Sequence, residues 1–381
     1  MSEAVAAHDY TKAVRGGLQP PLIQGIQGWK VAGIPRRFDA WEGMLYHLWG
    51  QRGQVYERPF GEPLKVPANQ EGARKVAHDH LWRLQNPQRC RDAHVLVYSF
   101  KDSYAGFGAE IHGLMLALNM AYALNRTLVM PRKDDWWYTR KETCEAQGLT
   151  CYFDQISSCF EDETDPAKRL AFNYTTSMDL RGYYPVYAEA HGGLIFWRSA
   201  MAKYIMRPNR SMRDRVERLK RVVQWRGSSE GATVALHIRR GDRGWGRRQV
   251  QVETYIAAAL AKFAEVGGKG SLLLCTEDKS VLNAVVHAVE TRDEWKNVRL
   301  MYDPAEARNS IENSRNLVIS HDVDMHEYAL SAIANLMLMA ECSHHVLAFH
   351  SHFGRLAYEL SYGLGSAASP PLSMDVMWIN Y

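Results

Sequence analysis

Apolar runs of strand length alternate with helix-length stripes along most of this 381-residue chain, and that alternation constrains the fold more than any other feature. His94-Val-Leu-Val-Tyr-Ser-Phe100 is an apolar run of strand length, and the glycine-containing loop Gly106-Phe-Gly108 follows it. A long apolar helix is expected from about Glu110 to Leu124, then a second strand at Thr127-Leu-Val-Met130. Strand, glycine loop, helix and strand in that order make a βαβ unit, which implies a parallel sheet. The order recurs in the second half. Strands are expected at Thr233 to Ile238, Ser271 to Cys275, Val298 to Tyr302 and His345 to Phe349. Helices are expected from Val252 to Phe263, Lys279 to Val289, Glu327 to Cys342 and Phe353 to Tyr362. Two α/β units joined near residues 205–230 would leave a cleft at the carboxyl ends of their strands, where open α/β sheets bind ligands.

Residues 1–92 read differently. They are polar, with glycine and proline scattered from Gly16 to Pro67, and turn helical between about Glu71 and Leu84 on the stripe Ala77, Leu81 and Leu84. Pro87 stops that helix, so this region reads as an arm or collar. With 46% hydrophobic and 23% charged residues, the chain is neither disordered nor collagen-like nor a coiled coil. A net charge of +4 argues against a general nucleic-acid coat but permits a local anion site. No stretch approaches the ~20 consecutive apolar residues of a membrane span. Asp9, Lys12 and Arg15 occupy a start that lacks the apolar core of a signal peptide, so a soluble chain with no visible address is expected.

The sharpest local signal is His237-Ile-Arg-Arg-Gly-Asp242-Arg243, at the end of an expected strand. Arg239, Arg240, Arg243, Arg247 and Arg248 crowd guanidiniums into one loop. Adjacent arginines at a strand end suit a diphosphate, since each can bond phosphate oxygens at two points and keeps its charge. The alternative is a solvated basic loop. Gly106-Phe-Gly-Ala-Glu-Ile begins like a dinucleotide fingerprint, but Ile111 stands at the third glycine position. A glycine loop at a helix start can still hold phosphate or sugar through N–H groups, with Glu110 and His112 near the cleft.

Other clusters admit plainer readings. Asp322-Val-Asp324 is a D-x-D of the type that can hold a hard cation, yet it precedes a helix, where Asp serves as a cap. His344, His345, His350 and His352 flank one short strand, so alternate residues face opposite ways and do not converge on one zinc ion. Trp136-Trp137-Tyr138 reads equally as core or as a sugar-stacking surface. Cys144 and Cys151 flank Gly148 and Cys90 and Cys159 are further candidates for a bridge, whereas Cys275 and Cys342 read as buried; six reduced thiols is the alternative.

Several of these segments together resemble the α1,6-fucosyltransferases that add core fucose to N-glycans and, more distantly, the bacterial chito-oligosaccharide fucosyltransferases. The likeness runs in order through Leu84-Gln-Asn-Pro-Gln-Arg-Cys90, Gly106 to His112 with Ala121 to Leu128, and Lys203-Tyr-Ile-Met-Arg-Pro208. It continues through His237 to Asp242, Cys275-Thr-Glu-Asp278 and Phe349 to Glu359. The resemblance implies a GT-B-type architecture, an α/β fold of two Rossmann-like domains facing across a cleft, plus the amino-terminal helical arm. Residues 1–92 would form the arm, 93–210 an acceptor-side domain and 211–381 the domain that binds the nucleotide sugar. It implies an inverting enzyme with GDP-fucose as donor and no metal or other cofactor. The acceptor would be an N-glycan or chito-oligosaccharide, with no nucleic-acid partner and no membrane segment in this chain. A secretory or Golgi location follows from the family, a cytoplasmic one from the missing address.

By residue, Arg239 matches the arginine on the donor's β-phosphate, with Arg240 and Asp242 beside it. His237, Tyr138 and Ser351 match donor-site positions, and Glu277 and Asp278 an acidic pair near the sugar and nucleotide. Cys90 and Cys159 match a family disulfide. Departures are also visible. Gly244-Trp-Gly-Arg-Arg-Gln249 contains no carboxylate where the family has a glutamate proposed as general base. Asn335 replaces an aspartate that reads guanine, and His350 replaces a donor-site serine. The family's SH3-like domain and membrane anchor are not expected in this chain. Glu110, reaching across the cleft, is the expected replacement base, with the Glu277/Asp278 pair next. A protein O-fucosyltransferase, or a weakened glycan- or nucleotide-binding protein on the same fold, is the alternative.

Overall fold

The computed structural model describes residues 71–101, 103, 105–172, 183–185, 188, 191–240, 250–308 and 324–375. It also places two short strands, Trp29–Val31 (β1) and Tyr46–His47 (β2). Most of the amino-terminal arm, Asp242, the Gly244–Gln249 stretch and Asp322 lie outside the described residues.

Helix α1 (Glu71–Gln85) buries Ala77 and Leu81 four residues apart, as its apolar stripe requires. The first βαβ unit follows: β3 (Val95–Val97), α2 (Phe107–Ala123) and β4 (Thr127–Val129). A third strand, β5 (Arg169–Ala171), joins β3 in parallel on its other edge, giving the order β4-β3-β5. Strand β6 (Tyr183–Pro185) pairs antiparallel with β1. Two helices, α3 (Leu194–Ile205) and α4 (Arg210–Val222), then lead to the second sheet.

That sheet is built from β7 (Ala232–His237), α5 (Val252–Glu265), β8 (Gly270–Cys275), α6 (Lys279–Thr291) and β9 (Val298–Met301). Helix α7 (Met325–Glu341), β10 (His344–Leu347), α8 (His352–Leu364) and β11 (Leu372–Ser373) complete it. Its order is β2-β11-β10-β7-β8-β9, parallel except for β2. Both faces are covered, so the strands are apolar throughout and their side chains alternate between two cores. Val234, Leu236, Leu272 and Leu274 pack with Ile256 and Phe263 of α5 and Val281 and Val285 of α6. Ala235, Leu273 and Leu347 face the opposite way, into a larger core shared with α2, α3, α7 and α8.

Helix α8 leaves the second sheet and packs on α2, α3 and α7, so the last long helix closes against the first βαβ unit. Glu359 of α8 is fully buried there, accepting from Arg198 Nε of α3 at 3.0 Å and from His112 Nε2 of α2 at 2.9 Å. Cys90–Cys159 and Cys144–Cys151 are both bridged, while Cys275 and Cys342 are buried thiols. Among the described residues no helix is long and apolar enough to cross a membrane.

Candidate active site

A cleft opens where the carboxyl ends of β7 and β8 face the amino ends of α2 and α8. Arg239 and Arg240 leave the end of β7 half-buried. Arg239 Nη1 donates to Glu277 Oε1 at 2.8 Å, and the backbone N–H of Arg240 reaches the same oxygen at 2.9 Å. Glu277 follows β8, so neighbouring strand ends are tied together and the guanidinium is fixed at the cleft wall. Two helices add fixed partial charge. Helix α2 starts after Gly106 and α8 after Ser351, neither with a side-chain cap. First-turn N–H groups lack intrahelical partners, and the helix dipole there favours an anion. Gly108 lets the two helix starts meet: a Cβ at this position would lie 2.6 Å from backbone atoms of His352 and Phe353. A guanidinium and two uncapped helix starts on one cleft suit a diphosphate, and Phe107, Tyr138, Tyr328 and Phe353 supply flat walls for sugar or base.

Of the residues singled out from sequence, Arg239, Glu277, His237, Tyr138 and Ser351 line this cleft together. His237 is buried, and burial with the nearby Arg239 charge holds its imidazole down at about 3, so it is neutral. Tyr138 is buried, with its hydroxyl donating to the Ala105 carbonyl at 3.4 Å.

The others stand elsewhere. Asp278 caps α6, accepting from the N–H groups of Ser280 and Val281 and from the Ser280 hydroxyl. That use of its carboxylate takes it out of the expected acidic pair. Glu110, the expected base, is 2% exposed and is not among the cleft-lining residues. Its Oε1 accepts from the Ser103 hydroxyl and the Ala105 N–H, both at 2.9 Å, so it anchors the loop before α2. Burial pushes its carboxyl up to about 7, against donation from Ser103, Ala105 and the Trp137 indole. Asn335, the expected guanine reader, is 1% exposed on α7, and neither polar atom of its amide bonds any of the described residues. His350 donates its backbone N–H to Asp375 at 3.1 Å and does not line the cleft. Asp324 caps α7, the plainer of its two readings. His345 bonds the Met339 carbonyl and His344 the Ser369 hydroxyl, in opposite directions from the strand.

Sequence reasoning missed Glu306 and Tyr328, and considered His352 only as a metal ligand. All three line the cleft. Glu306 is paired with Arg308 at 2.7 Å, and burial pushes its carboxyl up to about 8, outweighing that arginine. Its position a few residues past β9 was the available signal, because parallel strands deliver site residues at their carboxyl ends. For His352 the signal was its place at a helix start facing the same edge.

Residues 67–178 match the family of α-(1,6)-fucosyltransferase N- and catalytic domains. The chain is 24% identical over 302 residues to the α-(1,6)-fucosyltransferase of Drosophila melanogaster, covering 74% of this chain and 45% of that protein. To the Caenorhabditis elegans α-(1,6)-fucosyltransferase it is 23% identical over 184 residues, covering 42% of this chain and 31% of that one. It therefore spans less than half the length of these relatives. Among solved structures, fucosyltransferase NodZ from Bradyrhizobium overlays with a TM-score of 0.41 at 17% identity, covering 70% of this chain and 92% of that one. NodZ α-1,6-fucosyltransferase soaked with GDP-fucose overlays with the same TM-score at 16% identity and the same coverage. The ordered motifs and these sequence matches converge: over residues 67–178, and more loosely over 302 residues, the chain is similar to α-(1,6)-fucosyltransferases.

Proposed function

We propose that this protein is an inverting fucosyltransferase that moves fucose from GDP-fucose to a glycan hydroxyl. The linkage is α1,6, to the core GlcNAc of an N-glycan or to a chitobiose-like acceptor. The observation that carries this reading is Arg239, fixed by Glu277 beside two uncapped helix starts on one cleft. The acceptor oxygen attacks the anomeric carbon from the face opposite GDP, which leaves with the electron pair of the broken carbon–oxygen bond. Charge growing on the diphosphate is met by Arg239 and the helix N–H groups. Such preorganised donors are worth most at the transition state. Residues 211–381 would hold most of the nucleotide sugar and residues 93–210 the acceptor, while the region before residue 93 adds β2 to the edge of the second sheet and α1 to the shared core.

Arginine and backbone donors here take the place a divalent cation fills in other transferases, so activity should survive EDTA. Loss on chelation, restored by Mn²⁺, would contradict this. We place the protein in an oxidising, secretory compartment because it carries two disulfides, which persist in such environments. The test of the whole reading is GDP release from GDP-fucose with chito-oligosaccharides, N-glycopeptides and folded protein modules as acceptors. Release stimulated by glycans supports it. Stimulation by folded modules alone would indicate protein O-fucosylation, and GDP binding without turnover a weakened binding protein.

A further inference from the structure

With a donor in the cleft as proposed above, something must take the proton of the attacking hydroxyl. The cleft carboxylates are committed: Glu277 to Arg239 and the Arg240 N–H, and Glu306 to Arg308. Glu110 is tucked beneath its own loop. A chain of three side chains reaches the cleft instead. Glu359, at 0% exposure, bonds His112 Nε2 at 2.9 Å, and His112 Nδ1 lies 2.6 Å from Nδ1 of His352. His352 is partly exposed, opens α8 and lines the cleft with Arg239 and Tyr138.

The hydrogen positions follow from the chemistry of each group. Burial alone would raise the Glu359 carboxyl, but Arg198 and His112 outweigh it and hold it at about 2, so it is an ionised acceptor. An ionised carboxylate can only accept, so His112 Nε2 must be the donor. Burial holds the His112 ring down at about 4, against the pull of Glu359, so it is neutral and its Nδ1 is an acceptor. Nδ1 of His352 must then carry the hydrogen that lies between the two rings, which puts the lone pair on Nε2. A carboxylate fixing an imidazole tautomer is the logic by which a histidine is prepared as a base.

We propose that His352 is the general base, with His112 and Glu359 as positioning residues. The acceptor oxygen bonds the anomeric carbon, its proton passes to Nε2 of His352, and the sugar–phosphate bond breaks onto GDP. The imidazolium so formed keeps its Nδ1 hydrogen on neutral His112, with the Glu359 carboxylate beyond, and returns its proton to water when product leaves.

The experiment measures turnover of GDP-fucose with a chito-oligosaccharide or N-glycan acceptor, alongside calorimetric GDP binding. His352→Ala should lower kcat by about 10²–10⁴-fold with GDP affinity near that of the unaltered protein, and added imidazole should restore part of the rate. His112→Gln, which leaves His352 in place but breaks the tautomer lock, should lower kcat with an unchanged KM for GDP-fucose. Near-normal turnover in His352→Ala would overturn the assignment. So would a loss of GDP affinity that accounts for the whole loss of rate, since His352 would then be a donor contact. An unaltered protein that neither binds GDP nor turns over GDP-fucose would remove the donor reading itself, and the base with it.

Discussion

Arg239 and Glu277 show how one carboxylate can serve two ends: it orients a guanidinium through its side chain and steadies the next residue's backbone. An ammonium has no fork to match a phosphate at two points, so Arg239→Lys should recover only part of what Arg239→Ala loses in GDP affinity. Glu110 carries a different expectation. Its folded-state value of about 7 stands above the ordinary 4.5, so the stability it contributes is present below about pH 4.5 and lost as pH rises through 7. Glu110→Gln keeps an acceptor for Ser103 and Ala105 but cannot ionise. Its melting temperature relative to the unaltered protein should rise between pH 5 and pH 8.5; a constant difference would contradict the buried-acid reading. Arg239 and Glu277 could be singled out because each follows the end of an apolar strand, whereas His237, Tyr138 and Ser351 were marked by the family resemblance. Asn335, Asp278 and Glu110 could not be placed, because a residue near that edge can equally turn into a core, a cap or a loop. Only side-chain direction decides between these.

At the scale of elements, α8 is the strap that joins the second sheet to α2 and α3. Its ion pair with Arg198 is almost fully buried, so removing one partner leaves a charge in a place water cannot reach. Arg198→Met should cost about 3–5 kcal/mol of stability at neutral pH. The loss should also depend on pH in one direction. Glu359 is held at about 2, below its ordinary 4.5, so its contribution is full above pH 4.5 and disappears as pH falls toward 2. The melting-temperature gap between variant and unaltered protein should therefore narrow over that interval, and a gap that stays constant or widens would contradict the pairing. The strands and helices of the second sheet were legible because each is a continuous apolar run or stripe. Helix α4 was not, because Arg210–Val222 is so rich in charge that its buried stripe is only Met212, Val216 and Leu219. Strand β5 was missed for a related reason: Arg169 and Leu170 are only partly buried and Ala171 is exposed, so no apolar run marks it.

For the whole molecule, the first parallel sheet has three short strands among the described residues, with the Cys90–Cys159 bridge packed against β3 and β4 and α8 packed on α2. The Cys90–Cys159 bridge closes a loop of sequence separation 69, and loop-closure entropy for that span is about 4 kcal/mol. Cys90→Ser with Cys159→Ser should lower the melting temperature markedly, and more than loss of the Cys144–Cys151 bridge, whose separation is 7. Equal effects would mean that the longer bridge does not constrain the unfolded chain as described. On the proposed reading, the cleft between β7, β8 and the starts of α2 and α8 is one diphosphate site. Calorimetric titration of GDP into the unaltered protein and into Arg239→Ala tests this most directly. GDP should bind Arg239→Ala about 10- to 100-fold more weakly, the loss of one charge-assisted hydrogen-bonding partner. GDP affinity unchanged in Arg239→Ala would contradict it.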